Sequence, residues 1–221
     1  MRKIKVIIFG TGQISSVAYT YIKQNKTVDI CGFTVEKKYL KIDKFMDLPV
    51  VEFEKITEIF PKQKYKLFAP INYKNLNSNR ERIFNKGKKL GYDFFSFIHP
   101  NCVNNSKKIG KNCFILENNV IQPFVEIEDN CILWSGNHIG HHSKIKSNTF
   151  ISSHCVISGS VEIGNNCFLG VNSTIIDNIQ IGNKNIIGAG CLVTKNTSSG
   201  LVVLGNASKP HPKLKSANID L

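Results

Sequence analysis

Arginine is almost missing from this chain. Of 29 basic residues only Arg2, Arg80 and Arg82 are Arg, and 16 acidic residues leave a net charge of +13. Guanidinium forks are the usual readers of base edges, and these lysines are not interleaved with aromatics as on single-strand stacking platforms. The positive charge therefore does not point to nucleic acid. It is also uneven: residues 1–100 hold 19 basic and 9 acidic residues, residues 101–221 hold 10 and 7. No apolar run approaches the roughly 18 residues of a membrane span. The first apolar stretch, Ile4 to Phe9, carries Lys5 and stops at Gly10, too short for a signal peptide. A cytoplasmic protein without a membrane span is expected. The seven cysteines are odd in number and form no Cys-x-x-Cys pair, which excludes a disulfide framework and gives no zinc pattern. No metal is expected.

A strict repeat is present instead. From Val103 every sixth residue to Val193 is Ile, Leu or Val, and glycine often follows, as at Gly110, Gly140, Gly164, Gly170, Gly182 and Gly188. Helical periodicity drifts off a six-residue step, and simple strand alternation does not single out one position in six. This hexapeptide pattern resembles a left-handed parallel β-helix, in which three hexapeptides make one triangular coil and residues 18 apart stack at about 4.8 Å. The position four after each aliphatic residue turns inward again and takes a small side chain. Cys113, Cys131, Cys155, Cys167 and Cys191 fall there, so five cysteines are expected to act as small core residues.

The first hundred residues read differently. Ile4 to Phe9 is a strand that runs into Gly10-Thr11-Gly12, a helix follows from Ser15, and Val28 to Phe33 is a second strand. This order fits a small Rossmann-like unit whose glycines let amides approach a phosphate at the helix N-terminus. Ser15 stands where a third glycine is usual, and Glu36 lies where an acid can meet a ribose. A third strand is expected at Tyr65 to Pro70, a helix from Asn79 and a strand at Phe94 to Ile98. The fold class is thus α/β plus β: a Rossmann-like domain over 1–98, a β-helix over 99–197 and a tail over 198–221.

Four of the six histidines lie between residues 138 and 154. On a β-helix coil His141 and His142 are adjacent and expected to diverge, with no carboxylate or thiolate stacked beside them, which disfavours a metal. As an acid/base group His141 has a partner 18 residues on, Gly159, whose unshielded N–H suits a developing oxyanion. A base and an oxyanion donor one coil apart describe acyl transfer without a covalent enzyme intermediate.

Gly10-Thr11-Gly12, Gly32-Phe33, His99-Pro100, Gly140-His141, Ser158-Gly159, Gly188-Ala189-Gly190 with Val193-Thr194-Lys195, and Gly205-Asn206-Ala207 together resemble the hexapeptide sugar acyltransferases of bacterial surface-polysaccharide pathways. These include sialic acid O-acetyltransferases and N-acetyltransferases of nucleotide-linked 4-amino-4,6-dideoxy sugars. The resemblance implies a homotrimer using acetyl-CoA as co-substrate and a nucleotide-linked amino sugar as acceptor. It implies His141 as general base with His142 beside it, and Gly159 at the acetyl carbonyl. Gly188, Ala189, Gly190 and Lys195 would line coenzyme A. Gly10, Gly12, Ser15, Glu36, Asn79 and Arg80 would hold the nucleotide sugar, with Trp134 and His138 beside it. The sequence departs from the family where His142 replaces an acid after the base, where Trp134 and Phe150 replace a frequent Asn and His, and where Glu36 stands alone. O-acetylation of a sugar or sialic acid and a non-catalytic trimeric scaffold are the alternatives.

Overall fold

The structure, a computed structural model, describes residues 3–205. Asn206, Ala207 and most of the expected tail lie outside the described residues. No helix among the described residues is long and apolar enough to cross a membrane.

The N-terminal part is a five-stranded sheet. β1 (Ile4–Phe9), β2 (Val28–Val35), β3 (Lys44–Phe45), β4 (Leu48–Glu52) and β5 (Lys66–Phe68) order as β3-β4-β2-β1-β5, parallel except for the β3–β4 pair. The α1 helix (Gln13–Lys23) buries Ala18 and Ile22 beside the sheet. The short α2 (Ile56–Ile59) and the longer α3 (Ser78–Lys89) follow. The strand expected at 94–98 divides: Phe94 makes one bridge to Leu67, while Phe97–Ile98 pairs with Phe114–Ile115 in the next domain.

The remainder is a left-handed parallel β-helix of two-residue strands in three flat sheets. The second residue of each strand points inward. Ile121, Ile127, Leu133, Ile139, Ile145, Ile151 and Ile157 are fully buried, each contributing about 1.5–3 kcal/mol. The first residue points outward and gives each sheet its character. One sheet shows Lys108, Glu126, Lys144, Glu162 and Gln180 in register, a solvated charged face. A second shows Val120, His138, Val156, Thr174 and Leu192, a valine face. The third shows Phe97, Phe114, Ile132, Phe150 and Phe168, an aromatic face. The N-terminal domain covers much of it. Ile8, Phe33 and Phe68 join Phe97, Phe114, Ile132 and Phe150 in one core, with Phe68 edge-on to Phe114 at 5.4 Å.

The six-residue step breaks in the first coil. Val103 is 54% exposed, and Asn104 is the residue paired with Ile121. Asn104 Oδ1 accepts from Ser106 N–H at 3.1 Å. This side-chain turn closes the corner one residue early, and the expected register holds from Ile109 onward.

The small inward slot is more selective than size alone requires. Cys113, Cys131, Cys155, Cys167 and Cys191 lie in it at 0–2% exposure. Four of their thiols point at the carbonyl 15 residues on, for example Cys131 Sγ to Lys146 O at 3.2 Å and Cys167 Sγ to Gly182 O at 3.1 Å. Ser143 and Thr149 occupy the same slot and donate to Ser158 O and Gly164 O at 3.0 Å. The slot favours a small side chain that can donate to the next coil. Burial pushes the Cys167 thiol up to about 11 and raises Cys131 and Cys155, so these thiols stay protonated and unreactive.

Candidate active site

Each face of the β-helix ends in a corner, and the three corners differ. After the charged face comes an asparagine corner. Asn112, Asn130, Asn148 and Asn166 adopt left-handed backbone there (φ 55–64°). Their amides form a ladder: Asn112 Nδ2 donates to Asn130 Oδ1 at 2.6 Å, and Asn130 Nδ2 to Asn148 Oδ1 at 2.7 Å. The N-terminal domain grips this ladder at both ends, through Ala69 N–H to Asn112 Oδ1 and Asn166 Nδ2 to Glu81.

Arg80 belongs to this grip and is not free to bind substrate. It is fully buried. Nε donates to Asn130 O at 3.1 Å, Nη1 to Ile71 O at 3.0 Å and Nη2 to Asn148 O at 2.8 Å. Burial lowers it only to about 10, so it is a cation satisfied by carbonyls. The implied part in holding the nucleotide sugar is closed to Arg80 because α3 turns it toward the β-helix. Arg82, two residues on, faces the cleft instead.

That cleft, about 240 Å³, is lined by Gly10, Gly12, Ser15, Glu36, Asn79 and Arg82 among others. It brings together the expected nucleotide-holding residues other than Arg80, with two changes of role. Glu36 accepts from Arg82 Nη1 at 2.5 Å and Nη2 at 2.7 Å and from Lys86 at 2.8 Å, and Arg82 foremost holds its carboxyl down at about 2. Ser15 is buried and donates to Phe9 O at 3.4 Å. Its Oγ occupies the space a side chain on Gly10 would need. Gly12 caps α1 without a side-chain hydrogen bond, and no acid lies in the first turn, so the N-terminal amides face the cleft with their positive dipole end.

A larger cavity, about 640 Å³, adjoins it, since Gly12, Ile14 and Asn72 line both. Its far wall is the corner after the aromatic face: Trp134, Ser152, Ser153 and Val171, with Tyr73 across it, 5.0 Å from Phe150 and 4.7 Å from Phe168. In this corner the His154 ring lies over Gly136. Gly188, Ala189 and Gly190 belong to the same corner further along the helix.

The corner after the valine face carries His141 and His142. The His141 ring lies on Gly159 one coil below. A Cβ added at Gly159 would stand 2.6 Å from His141 Cε1 and 2.8 Å from Nε2, so this position excludes any side chain while the imidazole is in place. The amides of Ser158 and Ser160 donate to Ile175 O and His141 O, whereas the Gly159 N–H donates to no protein acceptor among the described residues. His141 N–H itself donates to Gln122 Oε1 at 2.9 Å. The two imidazoles do not diverge: His141 Nδ1 lies 3.1 Å from His142 Nδ1. The exposed Phe124 stacks on His142 with centroids 4.6 Å apart. Sequence reading missed Phe124, although it stands 18 residues before His142 in the same column. Lys195 stands three coils beyond His141 in that column, about 14 Å away at the usual strand spacing. His138 sits half-buried on the valine face between Val120 and Val156. Trp134 and His141 are therefore on opposite sides of that face.

Among the described residues no three His, Cys, Asp or Glu side chains converge as metal ligands. Residues 106–141, 142–177 and 160–195 match the model for the bacterial transferase hexapeptide (six repeats). The matched residues lie within the β-helix, where the six-residue repeat runs. No curated protein matches the sequence. The fold, with both hexapeptide domain and N-terminal domain, is shared with several solved structures. The acetyltransferase domain of PglB from Neisseria gonorrhoeae aligns with a TM-score of 0.80 at 19% identity, covering 94% of this chain and 99% of that one. PerB from Caulobacter crescentus, solved with CoA and GDP-perosamine, gives 0.77 at 22% identity over 90% and 93%. WeeI from Acinetobacter baumannii gives 0.80 at 17% identity over 94% and 99%. The PglB domain has also been solved with acetyl coenzyme A.

Proposed function

We propose that the chain is an acetyl-CoA-dependent N-acetyltransferase acting on a nucleotide-linked amino sugar. The observation that carries this reading is the imidazole of His141 resting on Gly159, beside an N–H that donates to no protein acceptor. The shared fold supports the substrate classes: PerB was solved with CoA and GDP-perosamine, and so was a variant of the perosamine N-acetyltransferase of Caulobacter crescentus.

The neutral sugar amine attacks the thioester carbonyl of acetyl-CoA. His141 Nε2 accepts the amine proton, the Gly159 N–H donates to the carbonyl oxygen as charge develops, and CoA leaves as thiolate. Lys195 lies on the same corner at a distance suited to the far, phosphate-bearing end of an extended coenzyme. The α1 N-terminus would take the diphosphate of the acceptor, with Asn79 and Arg82 lining the cleft around it. The aromatic cavity of Trp134, Phe150 and Tyr73 would take the sugar.

This division requires more than one copy, since base and cavity lie on opposite sides of the valine face. Val120, Val156 and Leu192 are 38%, 40% and 63% exposed there, an apolar row that a second copy would cover. A cyclic trimer closing on this face would set one copy's His141 against the next copy's cavity. The reading is tested by acetyl transfer to a panel of nucleotide-linked sugars, with His141→Ala as the comparison. That variant should turn over about 10²–10⁴-fold more slowly.

A further inference from the structure

His141 can accept a proton at Nε2 only if its own hydrogen sits on Nδ1. A group that accepts from Nδ1 fixes that tautomer. Among the described residues the hydrogen-bonding partner of His141 Nδ1 is His142 Nδ1 at 3.1 Å, with the two rings nearly perpendicular at 84°. Two imidazole nitrogens facing each other share one hydrogen, so one ring donates and the other accepts.

A second observation concerns what holds His142. Phe124 and His142 both adopt left-handed backbone, φ 67° and 60°. Elsewhere in the β-helix this corner position is mostly Asn, as at Asn112, Asn130, Asn148, Asn166, Asn172 and Asn178, the residue that tolerates it best. An aromatic ring there is strained, and Phe124 is 58% exposed, so core packing does not explain it. Its contact is the face of His142, at 4.6 Å and 30° between planes.

We propose that His142, held by Phe124, is a positioning residue that accepts the His141 Nδ1–H as a neutral imidazole and so keeps Nε2 free to act as base. Phe124 fixes the ring plane of His142 so that its Nδ1 lone pair meets His141. The inference rests on His141 being the base. No atom moves in this arrangement except the substrate proton, which goes to His141 Nε2 while the Nδ1–H stays in place.

The test separates this role from the base assignment. Long-range ¹H–¹⁵N spectra of ¹⁵N-histidine-labelled full-length protein at mildly alkaline pH report each ring's tautomer without any substrate. In the wild type His141 should be the Nδ1–H form and His142 the Nε2–H form. His142→Phe keeps an aromatic ring for Phe124 but removes the acceptor. It should return His141 to the Nε2–H form that free imidazole side chains prefer, and lower kcat about 10–100-fold with KM within about twofold. His142→Asn and His142→Asp restore an acceptor and should recover most of kcat. Phe124→Asn should raise the melting temperature by relieving the backbone, yet lower kcat. A wild-type His141 in the Nε2–H form, or a His142→Phe enzyme with unchanged kcat, overturns the proposal. If no acceptor is found and kcat is unmeasurable, the spectra alone still decide the tautomer.

Discussion

At the residue scale, charge is spent in two contrasting ways. Arg80 is a buried cation with only carbonyl partners, and Glu36 is an anion clasped by two cations. Glu36 was legible as an acid after the second strand, but its partners were not. Arg82 and Lys86 come from α3, 46 and 50 residues away, and only the sheet order brings them over the cleft. Because the Glu36 carboxyl falls from an ordinary 4.5 to about 2, its ion pairs favour the folded state above about pH 4.5, and the effect is lost as pH drops toward 2. Glu36→Gln should therefore lower the urea midpoint at pH 7, and the difference from wild type should vanish near pH 2. A difference of equal size at both pH values would show that the carboxylate charge contributes nothing. Arg80 could not be read as buried from sequence, since its neighbours in the chain are polar. What marks it is the turn of α3, with Ile83 and Phe84 buried beside it.

At the element scale, the repeat was the most legible feature, because a six-residue period survives any single substitution. The first coil was not, since one side-chain turn at Asn104 outweighs the period locally. The outward residues carried a signal too. The residue before each inward aliphatic, compared every 18 positions, separates aromatic, valine and charged faces, and so marks which one the N-terminal domain covers. The asparagine ladder follows the same rule at the corners. Asn130 combines two amide hydrogen bonds with left-handed backbone at φ 63°. Asn130→Gly removes the ladder bonds but keeps the backbone, and should cost about 1–2 kcal/mol. Asn130→Ala adds backbone strain and should cost about 2–4 kcal/mol. Chemical denaturation of the two variants checks both values, and equal losses would mean that the turn conformation is unstrained.

At the scale of the whole molecule, the His141–Gly159 stacking was open to sequence because 18-residue spacing fixes it. The approach of His142 to His141 was not, as it depends on side-chain torsions at a left-handed corner. Nor was the separation of Trp134 from His141, which are seven residues apart but on different corners. That separation gives the valine face its importance. In the proposed trimer, Val156→Glu would place like charges between copies. It should leave the secondary structure intact, turn trimer into monomer by light scattering and abolish transfer. Monomers that still turn over would show that one copy holds a complete site.

The proposed reaction is transfer of an acetyl group from acetyl-CoA to a nucleotide-linked amino sugar with His141 as base. Mass spectrometry of the full-length protein incubated with acetyl-CoA and a panel of nucleotide-linked amino and hydroxyl sugars measures it directly. Expected is the gain of one acetyl group on the amine of an amino sugar with stoichiometric release of CoA, slowed about 10²–10⁴-fold by His141→Ala. Acetylation confined to a hydroxyl, no transfer to any sugar, or equal rates for wild type and His141→Ala would contradict it.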